Sequence, residues 1–322
     1  SCTNACTAAF CGDGIEKVND DIQQPAIIKQ VISSQLERSY KNVIVGDRLY
    51  ATSRDTNSLS VIDISDPTSA TIIGSVSNAS TLKSPQSIVV AGQYAYISKD
   101  NGRMAVIDIS DDSNPTIISS TADAVSLYFM TELVVKGNYL YAASSFHLYT
   151  FDISDPANPV LVEGSTINDP ILQGAKSASL QGDYLYVTTT RGSFISINIA
   201  DPLQPVMVGR IDNDVDLRGA SGLGVEGSYA YVSARSSSAM RVIDISDPTG
   251  PTIVGGVQDS AQLYGPSSLT VSGQFAYMIG SDDKYIRVIN IANPLSPEIV
   301  SSVQGTNNAD IPRFISISGK YG

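Results

Sequence analysis

Val242-Ile243-Asp244-Ile245-Ser246-Asp247-Pro248 is the stretch that decides the fold, because the chain keeps returning to it. Close copies stand at Val61–Pro67, Val106–Asp112, Thr150–Pro156 and Val288–Pro294, with an offset copy, Ile-Asn-Ile-Ala-Asp-Pro, at Ile197–Pro202. A short apolar run with alternating polar residues reads as a β-strand. The Asp-Pro that follows ends it, since proline fixes φ and has no donor for a strand ladder. A second proline three residues on (Pro156/Pro159, Pro202/Pro205, Pro248/Pro251) stiffens the connection.

A second marker runs in phase with the first. It is Gly-x-Tyr-(Ala/Leu)-Tyr, at Gly92–Tyr96, Gly137–Tyr141, Gly182–Tyr186 and Gly227–Tyr231, with variants at Gly46–Tyr50 and Gly273–Tyr277. The glycines fall 45 or 46 residues apart, and another copy begins at Gly319. Each unit therefore reads as four short strands. An apolar strand ends at the glycine, which opens a tight turn at no steric cost. The Tyr-x-Tyr strand follows, then the Val-Ile-Asp-Ile strand, and beyond the Asp-Pro turn a fourth strand such as Pro251-Thr252-Ile253-Val254. Four strands in a repeat of ~45 residues define a β-propeller. The class is all-β, with four-stranded blades and no competing helical period.

The two markers resemble LVIVD repeats, found in bacterial and archaeal secreted or cell-surface proteins. The resemblance covers residues 25–322. It implies a propeller and implies no reaction. The Trp-Asp dipeptide of WD40 repeats is excluded, because the chain has no Trp.

The ends suggest an unfinished blade. Ala26–Val31 matches the fourth strands and Phe314-Ile315-Ser316-Ile317-Ser318 matches the first strands, so together they outline a seventh blade lacking its middle strands. The expectation is seven blades with the last incomplete, spanning 25–322, behind an arm at 1–24. Continuation of the native chain past Gly322 would complete it, and strands shared between molecules are the other account. The chain does not begin with Met, which fits removal of an upstream segment.

Composition narrows the function classes. Hydrophobic residues are 42% of the chain, enough for a core, and the net charge of −12 disfavours nucleic acid as a partner. No apolar run is long enough to be a membrane-spanning segment. All three cysteines, Cys2, Cys6 and Cys11, lie in the first eleven residues. That suits an exported protein with a disulfide between two of them, or a lipid anchor at Cys2 with Cys6 and Cys11 left as a pair.

Candidate chemistry is sparse. Asp63, Asp108, Asp152 and Asp244 recur, but Asn198 and Asn290 fill the same slot. A slot that accepts Asn needs a hydrogen-bonding oxygen, not a charge, so these residues read as turn caps. The single histidine, His147, cannot build a His-rich metal site. Asp212, Asp214 and Asp216 alternate in one loop and form the one Ca²⁺ candidate; no other cofactor is expected. Gln86, Thr131, Lys176, Ser221, Ser267 and Arg313 open the innermost strands and are expected to ring the channel mouth, where Lys176 and Arg313 suit an anion or glycan. Loops such as Val125–Met130, Pro170–Leu172 and Gln262–Tyr264 vary between units, as binding loops do on a repeat scaffold. Asn78-Ala79-Ser80 is a glycosylation sequon.

No catalytic residue is singled out. The expectation is a non-enzymatic extracellular or cell-surface module that binds protein, possible glycan, or copies of itself in a filament or array. The alternative is a loop-face enzyme, a Ca²⁺-dependent hydrolase or a lectin-like glycan binder.

Overall fold

The computed structural model describes residues 29, 31, 33–100, 102–120, 130–304, 313–319 and 321–322. Expectations for Cys2, Cys6, Cys11, the arm 1–24, most of the strand Ala26–Val31 and the loop segment Val125–Phe129 lie outside them.

Each repeat folds as an antiparallel meander, four strands in sequence order. Blade 1 holds β1 (Ser39–Val45), β2 (Arg48–Ser53), β3 (Ser58–Asp63) and β4 (Thr71–Ser77). Blade 2 holds β5 (Pro85–Ala91), β6 (Tyr94–Lys99), β7 (Met104–Asp108) and β8 (Thr116–Ser120). Blade 3 runs β9 (Met130–Lys136), β10 (Tyr139–Ser144), β11 (His147–Asp152), and a fourth strand broken into β12 (Val160–Leu161) and β13 (Ile167–Asn168), both paired with β11. Blade 4 is β14 (Ala175–Gln181), β15 (Tyr184–Thr189), β16 (Ser193–Asn198) and β17 (Val206–Asp212). Blade 5 is β18 (Ala220–Glu226), β19 (Tyr229–Ala234), β20 (Ala239–Asp244) and β21 (Thr252–Gln258). Blade 6 is β22 (Pro266–Ser272), β23 (Phe275–Gly280), β24 (Tyr285–Asn290) and β25 (Glu298–Gln304).

The two sequence markers do what their chemistry requires. Gly92 has φ of 59°, and the two-residue turn it opens joins Ala91 to Tyr94 in register. Positive φ at the first central position is the hairpin geometry that favours glycine. The tyrosines at the end of the marker, such as Tyr96, Tyr141, Tyr186 and Tyr231, are buried between adjacent blades. The repeated acids cap turns. Asp244 Oδ1 accepts from Ser246 N at 2.8 Å, and Asn198 Oδ1 and Asn290 Oδ1 accept from Ala200 N and Ala292 N at 2.9 Å. Carboxylate and amide make the same bond, which explains their interchange.

The core lies in layers between blades. Tyr50, Leu59 and Val61 of blade 1 meet Ala95, Ile97 and Ala105 of blade 2, and four similar layers follow round the ring. Each fully buried Leu, Ile or Val stabilises by roughly 1.5–3 kcal/mol. A glycine in the fourth strand lets the next blade come close: a Cβ on Gly209 would stand 2.2 Å from Pro248 O.

The expectation of seven blades is corrected to six. The described residues form six four-stranded blades. Inner strands β1, β5, β9, β14, β18 and β22 pack in succession, but no comparable packing joins β22 to β1 among the described residues. Among the described residues Arg313–Ile317 lies against β1 without strand pairing; one bridge, Ser318 to Tyr321, follows. Val31 packs on the outward face of blade 1 with Leu49, Ile62 and Ile72.

Candidate functional site

All six blades share one irregularity. The first and second strands pair at the first residue, skip one, and resume: Ser39 faces Ser53 and Lys41 faces Thr52, leaving Tyr40 out of register. Gln86, Thr131, Lys176, Ser221 and Ser267 are the skipped residues of blades 2 to 6. A β-bulge turns its extra residue away from the ladder and re-aims the side chain. The ring expected at the channel mouth is thus a ring of bulges, and Tyr40 is the member the sequence reading omitted. It could have been found by counting, since each bulge residue stands six positions before a hairpin glycine, as Tyr40 does before Gly46; Arg313 keeps the same offset from Gly319 but lies in a segment without strand pairing among the described residues.

The ring divides in two. Thr131 donates to Ala175 O at 2.9 Å and Ser221 to Pro266 O at 3.1 Å, so each stitches its blade to the next. Ser267 donates to Ile279 O at 3.4 Å within its own blade. These three serve backbone carbonyls. Gln86, Lys176 and Arg313 instead join a cluster built on Tyr40.

Arg54, just past the end of β2, lies with its Cζ 3.3 Å from the centre of the Tyr40 ring. It is held there by donating to Pro85 O at 3.3 Å and to Gln86 Oε1. Lys176, from blade 4, is near enough for its charge to act on Tyr40. The Arg313 guanidinium is 5.9 Å from the same ring, and Phe314 meets it edge-on at 5.7 Å. Lys41 Nζ lies 4.1 Å from the Phe314 ring centre and 2.6 Å from Glu132 Oε2 of blade 3. Ser87 donates to Glu132 Oε1 at 3.0 Å.

Four cations and one carboxylate therefore share this mouth, in a chain of net charge −12. Glu132 answers Lys41. Among the described residues no carboxylate pairs with Arg54, Lys176 or Arg313.

The tyrosines register the field. Burial raises the phenol pKa of Tyr96, Tyr141, Tyr186 and Tyr231 to about 12. Burial acts upward on Tyr40 too, but the charge and hydrogen bonding of Lys176 and the charges of Arg54 and Lys41 outweigh it and lower the pKa below 10.0. Arg54 is itself pushed down, first by burial and then by the nearby charges of Arg313 and Arg38. Such a half-buried phenol, eased toward its anion, can accept a proton as phenolate, and the cations round it, three of them without a carboxylate partner among the described residues, can hold an anionic ligand.

The other candidates lie apart from this cluster. Asp212 meets Ser193 at 3.0 Å and Arg210 at 3.4 Å, Asp216 pairs with Arg241 at 2.9 Å, and Asp214 is exposed. No group of three or more His, Cys, Asp or Glu side chains able to hold a metal occurs among the described residues. His147 stacks on Tyr149 at 5.2 Å, and burial lowers its pKa. Asn78 is exposed, its Oδ1 taken by Ser80 and Thr81. No helix of the described residues is long and apolar enough to cross a membrane.

The fold is a six-bladed β-propeller, with a group of cations gathered about Tyr40. The chain belongs to the LVIVD repeat family, whose model matches residues 44–78, 84–123, 131–166, 174–213, 218–259 and 266–305. No curated protein matches the chain in sequence. Among solved structures it is similar to a Bacteroides fragilis protein provisionally assigned as a 6-phosphogluconolactonase, with 14% identity, TM-score 0.70 and 86% of each chain covered. It is also similar to a periplasmic gluconolactonase of Pseudomonas aeruginosa, with 15% identity, TM-score 0.69 and 87% of each chain covered. A β-propeller domain of Myceliophteria thermophila aligns at 15% identity and TM-score 0.66, covering 88% of this chain and 90% of that one.

Such identities establish the fold alone, but they overturn one expectation. A non-enzymatic interaction or self-assembling module was inferred from the lack of a reaction motif. Proteins named as lactonases share this fold. A propeller draws its site from different blades, so a missing linear motif excludes nothing.

Proposed function

We propose that the channel mouth binds a small anionic molecule and hydrolyses it, with a sugar-acid lactone as the substrate class. The observation that carries this reading is the convergence of Arg54, Lys176 and Arg313, none with a carboxylate partner among the described residues, on Tyr40, whose pKa the charges of Lys176 and Arg54 help to lower. The lactonase names among proteins of the same fold support it. In this reading Tyr40, as phenolate, takes a proton from water while the water oxygen adds to the lactone carbonyl. Lys176 and Arg54 stabilise the resulting oxyanion. The ring oxygen then leaves and recovers the proton from Tyr40, giving the open hydroxy acid. Arg313 holds the anionic substituent of the substrate. Export from the cytoplasm belongs to the same reading, supported by cysteines confined to the first eleven residues and by the periplasmic assignment of one propeller of this fold.

The test is proton release from gluconolactone and its 6-phosphorylated form, the compounds the named relatives suggest. Tyr40→Phe is expected to lower kcat by about 10²–10⁴, the usual worth of a general base. Lys176→Ala is expected to lower kcat and raise KM together. Turnover no faster than spontaneous hydrolysis, or full activity in Tyr40→Phe, would refute the reading.

A further inference from the structure

The cluster on Tyr40 takes Arg313 from an unusual support. In the six blades, the inner strand that carries the bulge residue is laced to its neighbour along its length, as β1 is to β2 from Ser39 to Val45. Arg313 has the same offset from a hairpin glycine, yet residues 313–317 make no backbone hydrogen bond to any blade among the described residues. Among the described residues side chains hold the segment. Phe314 meets the edge of Tyr40 at 5.7 Å, Lys41 Nζ lies 4.1 Å from the Phe314 ring centre, and Ser316 Oγ donates to Asn42 Oδ1 at 2.6 Å.

Electrostatics opposes this seating. Arg313 approaches Arg54 closely enough for the two guanidiniums to repel, and Lys176 adds a third charge at the same tyrosine. Like charges in a half-buried site repel more strongly than in open water. An anion among the three would turn that repulsion into attraction. Three unpaired positive charges are better met by a dianion than by a single carboxylate.

We propose that Arg313–Ser318 is a strap that seats against β1 when a phosphate-type dianion binds beside Arg54 and Lys176, with Arg313 as its direct cationic contact and Phe314 as the anchor. The proposal rests on the anion site described above and adds a moving part to it. Seating and binding must strengthen each other by the same factor, since linkage is reciprocal. Phe314 therefore becomes a positioning residue: it carries no charge, yet it governs affinity for one.

The experiment uses the full chain and inorganic phosphate, with chloride at equal ionic strength as the control. Calorimetry gives the affinity, and hydrogen exchange read by mass spectrometry follows the amides of residues 313–318. Phosphate, but not chloride, is expected to slow exchange in this segment about tenfold, and Phe314→Ala to weaken phosphate binding by a similar factor. Ser316→Ala, which removes only the bond to Asn42, should reproduce both effects in smaller measure if Phe314→Ala folds poorly. Binding of phosphate with equal affinity to all three proteins and unchanged exchange would overturn the strap and leave the anion site standing. Failure of phosphate to bind the unsubstituted chain would overturn both.

Discussion

Substituting Glu132→Gln separates the stability of the channel mouth from its affinity for anions, because the two should move in opposite directions. Each unit places one residue directly after its bulge, and at this position Ser87, Ser177 and Ser268 are small and buried. Blade 5 has Gly222 there, and the two charged residues at this position, Lys41 and Glu132, meet each other: Glu132, 7% exposed, reaches past Ser87 to Lys41 at 2.6 Å. The pair thereby ties blade 3 to blade 1. Removing one partner of a buried ion pair typically costs about 3–5 kcal/mol, because the other charge is left without its counter-ion. Here the cost falls near the lower end, about 3 kcal/mol. The amide still accepts from Ser87, and Lys41 keeps its place over Phe314. Lys41→Met combined with Glu132→Leu should recover most of the loss, since apolar replacement of both partners is often neutral. Equilibrium urea unfolding measures this as a fall in midpoint at constant slope. The same substitution removes the one carboxylate of the cluster. Phosphate affinity should then rise about fivefold, equivalent to roughly 1 kcal/mol for one charge in a partly solvated site. A stability loss below about 0.5 kcal/mol would mean the pair is no more than a surface contact. Weaker phosphate binding would mean that Glu132 helps to form the ligand site, and the charge argument would be wrong.

Two further predictions concern the repeat. Gly209→Ala places a Cβ 2.2 Å from Pro248 O, so it should cost about 1–3 kcal/mol as overpacking between blades 4 and 5, read as a drop in Tm; a Tm unchanged within error would show that the blades can part freely. Asp244→Asn should leave stability at pH 7 within about 0.5 kcal/mol, because Asn198 and Asn290 already make the same turn bond. It should also soften acid unfolding. Hydrogen bonds from Ser246, Ser65, Ser110 and Ser154 hold Asp244, Asp63, Asp108 and Asp152 below the usual 3.8, so their contribution is complete above the unfolded value and is lost as pH falls through the lower folded values. Melting curves taken down to about pH 2 would test this, and a steeper acid loss in Asp244→Asn would contradict it.

The fold was legible because a repeat presents the same local physics several times. The hairpin glycines, the Tyr-x-Tyr strands and the Asp-Pro turns each name a backbone conformation, and the exchange of Asp for Asn at position 198 separates a turn cap from a catalytic acid without any coordinates. Blade number was less legible. Phe314-Ile315-Ser316-Ile317 has the apolar alternation of a first strand, but alternation does not supply the neighbour a strand must bond to, and the segment lies unpaired on β1. The site was half visible. Lys176 and Arg313 stood out as charges among neutral positions, whereas Tyr40 lies outside both repeat markers. Arg54 lies outside the ring and reaches it only because Gln86 and Pro85 hold its guanidinium. Distances across a channel are long-range facts, and no period along the chain encodes the meeting of blade 1 with blade 4.

The bulge explains how one scaffold separates stability from function. A regular ladder would direct these six side chains into the layers between blades, where only residues suited to the core fit. Skipping one residue per blade frees that position from the packing that binds its neighbours. Thr131 and Ser221 return the freedom to the scaffold by stitching adjacent blades. Tyr40, Gln86 and Lys176 use it to build a cationic centre, joined by Arg313 at the matching position of the unpaired segment. The remainder of the acidic chain repels small anions, and the mouth attracts them. In the proposed reading an anion approaching from solution meets a favourable potential over this cluster. The excess of acidic residues, which argues against nucleic acid, thus does not argue against the anionic substrate proposed above, because the cations that would meet it are gathered about Tyr40.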